Sequence, residues 1–159
     1  MPGHKLTIER KDEGKRTLLS IKGIIDEDAD LKNVFATLKS PVFLDLEGVE
    51  MINSAGVRAW VNAIAKLPTD TPFTLEKCSP RIVEQLNYVA SFIGHGIVKS
   101  FFAPYFCPKC KAERTILLEA STLPRKNGRH APSQKCTKCN GSLEFDDVEE
   151  EYFAFLRSR

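Results

Sequence analysis

Four cysteines, arranged as Cys107-Pro108-Lys109-Cys110 and Cys136-Thr137-Lys138-Cys139, constrain this chain more than any other feature. A C-x-x-C turn brings two sulfurs to one side of a tight loop, where both can meet the same ion. Two such turns complete a tetrahedral set of thiolates. One pair alone would leave a redox dithiol open, and an oxidising compartment would favour disulfides. Two pairs with this spacing favour metal, and zinc is the expected ion, with iron the chemical alternative because four thiolates suit either. With every position filled by protein no place remains for water, so the ion is read as structural and not catalytic. His130 is a spare candidate ligand on a polar loop. The fifth cysteine, Cys78, reads as a small buried hydrophobe.

The region around these cysteines needs such a staple. From Pro104 onward the apolar content is thin: a strand-like run at Thr115-Ile116-Leu117-Leu118, a polar stretch with Pro124, Gly128 and Pro132, and a second strand-like run from Gly141 to Phe145. So little apolar surface does not hold a fold by burial alone. The two knuckles and their flanking strands resemble a zinc ribbon, so residues 104–159 are expected to form a zinc-ribbon domain with an acidic and aromatic tail. That tail, Asp146 to Arg159, ends in Tyr152, Phe153, Phe155 and Leu156, which either dock as a short helix or stay mobile.

Residues 1–103 carry a different texture, alternating strand and helix signals. Leu6 and Ile8 alternate with polar neighbours, Asp12-Glu13-Gly14 marks a turn, and Leu19, Ile21 and Ile24 continue a second strand, which predicts an antiparallel hairpin. Leu31, Val34, Phe35 and Leu38 recur at helical spacing behind Asp28 and Asp30, with a stop before Pro41. Val42 to Leu46 is an almost unbroken apolar run, the pattern of a central strand covered on both faces. Val57, Trp60, Val61 and Ile64 predict a second helix, with Arg58, Asn62 and Lys66 on its outer side. Phe73 and Leu75 mark a further strand. Ser79-Pro80 offers a capping hydroxyl and a first-turn proline for a third helix with apolar residues Ile82, Val83, Leu86 and Val89. Ile97 to Ala103 forms a last strand or closing segment. The order ββαβαβα implies an α/β fold, a mixed sheet with helical crossovers.

Composition narrows the function classes. A net charge of +2 on 159 residues gives no global field toward nucleic acid or an anionic membrane. No apolar run approaches the roughly 18 residues of a membrane span, and the first residues lack the apolar core of a secretory signal. The expected location is the cytoplasm. No phosphate-binding glycine loop, nucleophile elbow or metalloprotease helix is present, and only His4, His95 and His130 could act as histidine bases, so no enzymatic activity is expected.

The joint between the central strand and the second helix reads Val42-Phe43-Leu44-Asp45-Leu46, a loop, then Asn53-Ser54-Ala55-Gly56-Val57. Most Asn or Ser residues in such a place are helix caps without chemistry. The whole run, however, resembles the signature of the STAS family, shared by sulphate transporters and anti-sigma-factor antagonists, in which Asp-Ser-Ser-Gly opens this helix. The resemblance covers residues 5 to 103 and implies a STAS-like mixed sheet flanked by helices. In the bacterial antagonists the matching serine, here Ser54, is phosphorylated by a serine kinase, and the modified form releases its partner. Asn53 and Ala55 depart from the pattern and remove the acidic neighbour.

The resemblance therefore implies a regulatory protein–protein interaction module of the partner-switching type, with Asn53, Ser54, Gly56 and Arg58 at the binding and phosphorylation site. A kinase, an anti-sigma factor or another signalling protein is the expected partner. A phosphate adds about −1.5 to −2 charges at a helix start, and Arg58 one turn on is its candidate counter-ion. An alternative is a nucleic-acid-binding regulator that uses the ribbon and its basic loop, Arg125, Lys126, Arg129 and His130. A redox or metal-responsive sensor built on the cysteine quartet is the second alternative.

Overall fold

Alternation of apolar and polar residues, broken at Gly14, makes the first hairpin. In this computed structural model, which describes residues 3–38, 41–123 and 130–156, β1 (Thr7–Glu13) pairs antiparallel with β2 (Arg16–Ile25), closing at Glu13 opposite Arg16. Gly14 takes φ +64° in the turn, a conformation that costs glycine little. β1 is a sheet edge, and its exposed run of Glu9, Arg10, Lys11 and Asp12 discourages pairing with another chain.

Three crossovers then build a parallel array. The chain passes through α1 (Leu31–Phe35) to β3 (Val42–Ile52), through α2 (Ser54–Ala65) to β4 (Phe73–Glu76), and through α3 (Pro80–Tyr88) to β5 (Ile97–Val98). The sheet order is β1-β2-β3-β4-β5, with β2 through β5 parallel to one another. The protein is thus mixed α/β, as the alternation of periods implies.

Local differences from the sequence expectations have physical reasons. Helix α1 stops at Phe35 and does not reach Leu38, because the chain must enter the sheet at once: Pro41 already accepts the Thr17 amide at 2.9 Å. Strand β3 runs to Ile52, six residues past the apolar run, because its second half keeps pairing with β2 beyond the end of β4. Val42, Leu44 and Leu46 on one face are fully buried, whereas Phe43 and Asp45 on the other are half-covered, so β3 is not sealed on both sides. The Arg16 guanidinium lies 5.6 Å from the Phe43 ring, and Lys77 stands 3.7 Å from Asp45. Ser79 stands at the start of α3, yet its buried hydroxyl makes no cap bond; Pro80 begins the helix without one.

The core under the helices centres on Trp60. Its ring stacks on Phe92 at 5.0 Å, meets Phe35 edge-on at 5.8 Å, and donates Nε1–H to the Phe92 carbonyl at 2.8 Å. Helix α2 buries Gly56, Trp60, Ala63 and Ile64, and turns Arg58, Asn62 and Lys66 to solvent. A polar tip that finds a partner lets an indole be wholly buried without a desolvation penalty.

A second sheet, order β7-β6-β9-β8, carries the cysteines: β6 (Ser100–Phe106), β7 (Glu113–Glu119), β8 (Gln134–Lys135) and β9 (Ser142–Phe145). The expected domain boundary after Ala103 falls inside β6. That strand is also bridged at Phe101 to Cys78, just past β4, so the two sheets share one stretch of chain. The C-terminal tail docks through Leu156 as α4 (Glu149–Tyr152) and a 3₁₀ turn (Ala154–Leu156). Phe101 receives Phe153 at 5.9 Å and Phe155 at 5.1 Å, and Phe145 stacks on Phe153 at 5.2 Å.

Asn87 of α3 secures this tail with both ends of its amide. Its Nδ2 donates to the Tyr152 carbonyl at 3.0 Å and its Oδ1 accepts from the Phe155 amide at 2.8 Å. Asn87→Ala leaves two backbone groups without partners and is expected to lower stability by about 2 kcal/mol in chemical denaturation.

Candidate functional site

The candidate metal centre is built from two loops of the same design. In the first, the Lys111 amide donates to the Cys107 carbonyl at 2.8 Å and the Cys107 amide to the Ala112 carbonyl at 2.9 Å. In the second, Asn140 donates to Cys136 and Cys136 to Gly141, each at 2.8 Å. The fifth residue of each loop, Lys111 or Asn140, takes a left-handed φ of 62° or 58°. Asparagine tolerates that conformation; lysine does so at a cost of about 1 kcal/mol, so only the second loop is announced by its residue type.

These loops aim four sulfurs at one point. The Sγ atoms of Cys107, Cys110, Cys136 and Cys139 all lie within 4.8 Å of one another. Cys107 is 3.4 Å from Cys139 and Cys110 is 3.7 Å from Cys136, so close sulfur pairs cross between the knuckles. A tetrahedral ion with metal–sulfur bonds of about 2.3 Å spaces its sulfurs by about 3.8 Å, and the cluster brackets that value. Cys107 and Cys136 are buried, while Cys110 and Cys139 are half-buried at the surface. The four cysteines can therefore hold a metal ion.

The proton chemistry agrees with this arrangement. Amide N–H groups of Cys139 and Lys138 hold the Cys136 thiol down to about 6, and the Cys110 amide lowers Cys107. At Cys139 the Gly141 amide pulls downward, but burial and the other three sulfurs outweigh it and raise the thiol to about 11. Some thiolates form readily, and the full set of four needs a cation to offset its repulsion. Lys109, Lys111, Lys135 and Lys138 are exposed around the knuckles. Their charge opposes the net charge of about −2 that four thiolates and a divalent ion retain.

His130 takes no part in this cluster. It pairs with Glu149, Nδ1 to Oε2 at 3.0 Å, beside the Ala131 amide that donates to the other carboxylate oxygen at 3.2 Å. Arg125, Lys126 and Arg129 lie outside the described residues. Cys78 is fully buried, and desolvation pushes its thiol up, far from reactive ionisation.

At the strand-to-helix joint, capping falls to Asn53. Its Oδ1 accepts from the Gly56 amide at 2.8 Å and its Nδ2 donates to Glu27 Oε2 at 3.0 Å, which holds the Glu27 carboxyl below its usual range. The Asn53 amide donates to the Ile25 carbonyl at 3.2 Å. Ser54, the first residue of α2, is exposed, and its hydroxyl makes no hydrogen bond among the described residues. Arg58 is exposed on the next turn, without an ion pair to any described residue.

Gly56 has a steric reason. A Cβ there would stand 2.1 Å from the Ile25 carbonyl oxygen and 2.6 Å from its carbon. Sequence reasoning missed this contact and Glu27 alike, because both belong to a segment some 26 to 31 positions upstream with no local signal. The exposed Met51, two residues before the cap, was missed as well.

No protein-family model matches the chain, and no curated protein matches it significantly.

Proposed function

We propose that this protein is a regulatory interaction module of the anti-sigma-factor antagonist type, with a STAS-like domain that docks a partner protein at the joint around Ser54 and a structural zinc ribbon beside it. One observation carries the reading: Asn53 performs the capping, so the Ser54 hydroxyl at the exposed first turn of α2 has no structural task. Further support comes from the hairpin followed by three parallel crossovers, and from a glycine two residues after the serine that brings α2 against the end of β2.

Phosphate on Ser54 meets the favourable end of the twelve-residue helix α2 but also the nearby Glu27 carboxylate, hydrogen-bonded to the adjacent Asn53. Added charge and bulk at a surface suited to a neutral hydroxyl release the partner. Zinc is the ion that the four-thiolate set favours, and it supplies rigidity to the ribbon without an open coordination position.

Affinity capture with wild type, Ser54→Ala and Ser54→Asp tests the switch. Ser54→Ala is expected to retain the wild-type partner and Ser54→Asp to lose it, with binding weakened about tenfold or more. The same partners at the same yield on all three baits would remove the switching role.

A further inference from the structure

An open groove of about 710 Å³ runs between the outer face of α3 and the C-terminal segment. Its α3 wall consists of Pro80, Arg81, Glu84, Asn87 and Tyr88, one stripe of the helix, while Ile82, Val83 and Leu86 on the other side are buried in the core. At about 1.5 Å per residue this stripe is about 12 Å long, the reach of about four extended residues. The opposite wall carries Asp146, Asp147 and Glu151.

Two properties specify what fits. The first is charge. Arg81 and Glu84 offset each other at 3.6 Å, whereas Asp146, Asp147 and Glu151 make no ion pair with any described residue. The second is shape. Tyr88 stands 79% exposed at the lip, and Pro80 and Pro104 offer flat walls without amide donors. The walls are also preformed, since Asn87 clamps the tail on both sides, so binding carries little ordering cost.

We propose that this groove docks an extended segment of a partner protein that bears arginine side chains. A guanidinium forks onto a carboxylate with two parallel hydrogen bonds and lays its flat face on a tyrosine ring, while its aliphatic stem covers proline. A compact ammonium can do only the first of these, and less specifically. The groove contains none of the joint residues around Ser54, so this docking site stands independently of the switch proposed there.

Fluorescence anisotropy of the full chain with a fluorescein-labelled hexapeptide, Gly-Arg-Leu-Arg-Val-Gly, tests it. The expected result is saturable binding that weakens about tenfold or more in the combined variant Asp146→Asn, Asp147→Asn, Glu151→Gln, and several-fold in Tyr88→Ala. The matching lysine peptide is expected to bind several-fold more weakly than the arginine peptide. All four substituted residues are exposed, and an unchanged thermal midpoint establishes that the variants remain folded. Absence of binding, equal binding to the combined variant, or equal affinity for the lysine peptide or for spermine overturns the proposal.

Discussion

Chelation of the zinc proposed for the four thiolates, or substitution of Cys136 by serine, is expected to unfold the cysteine-bearing end of the second sheet while the parallel sheet persists. The reason lies in how little else holds that end. β8 has two residues, β9 has four, and β9 meets β6 through only Tyr105 opposite Phe145 and Phe106 opposite Glu144. Leu143 is the one buried aliphatic side chain between β8 and the end of β9. Binding of structural zinc to four-ligand peptides releases about 10–16 kcal/mol at neutral pH, far more than this hairpin gains from burial.

Serine at position 136 loses one thiolate ligand and places a hydroxyl in a site that is 2% exposed, so the cost exceeds that of the same change at half-buried Cys139. Elemental analysis should find one zinc per chain in the wild type and none in Cys136→Ser. Hydrogen exchange should then accelerate across Cys107–Ala112 and Gln134–Phe145 and remain slow in β2 and β3. A metal-free, fully reduced chain that kept slow exchange at the knuckles would contradict the structural role and favour a redox one.

The second large effect concerns Gly56→Ala, which is expected to destabilise the protein by about 3 kcal/mol. Ordinary helix energetics point the other way, since glycine in a helix costs about 1 kcal/mol relative to alanine. Here the sign reverses because the added methyl meets the Ile25 carbonyl, backbone on both sides of the contact, with no flexible side chain to yield. Relief requires α2 to move away from the end of β2, which also strains the Asn53-to-Ile25 and Asn53-to-Glu27 hydrogen bonds. Urea denaturation of the wild type and Gly56→Ala, with Asn62→Ala on the exposed side of α2 as control, measures it. The control should be neutral or slightly stabilising; an equal response of the two variants would show that the close approach carries no energy.

Much of the architecture was legible from period and punctuation. The Gly14 turn, the helical stripe Trp60-Ile64 and the first-turn Pro80 act through neighbours a few residues away, and each stands where its pattern implies. The cysteine quartet was legible for a similar reason: the C-x-x-C spacing confines each sulfur pair, leaving the structure to bring two pairs together. Less legible were the ends of elements. Helix α1 and strand β3 stop where distant partners make them stop, at Thr17 and along β2, and a local pattern contains no trace of that. The Ser79 hydroxyl, a cap by residue type, is turned into the interior instead.

By itself the sequence determined what local chemistry can determine: strand and helix periods, turn positions, a four-thiolate ligand set, and a serine at the start of a helix. Tertiary structure decided the rest. It chose Asn53 over Ser54 as the cap, gave Gly56 its reason in a carbonyl 31 residues earlier, carried β6 across both sheets, and laid the aromatic tail on Phe101. The physical cause is range. Turn propensity and ligand spacing act within a few bonds, whereas close packing depends on atoms that meet only after the chain has folded, as Asn87 meets Tyr152 across 65 positions.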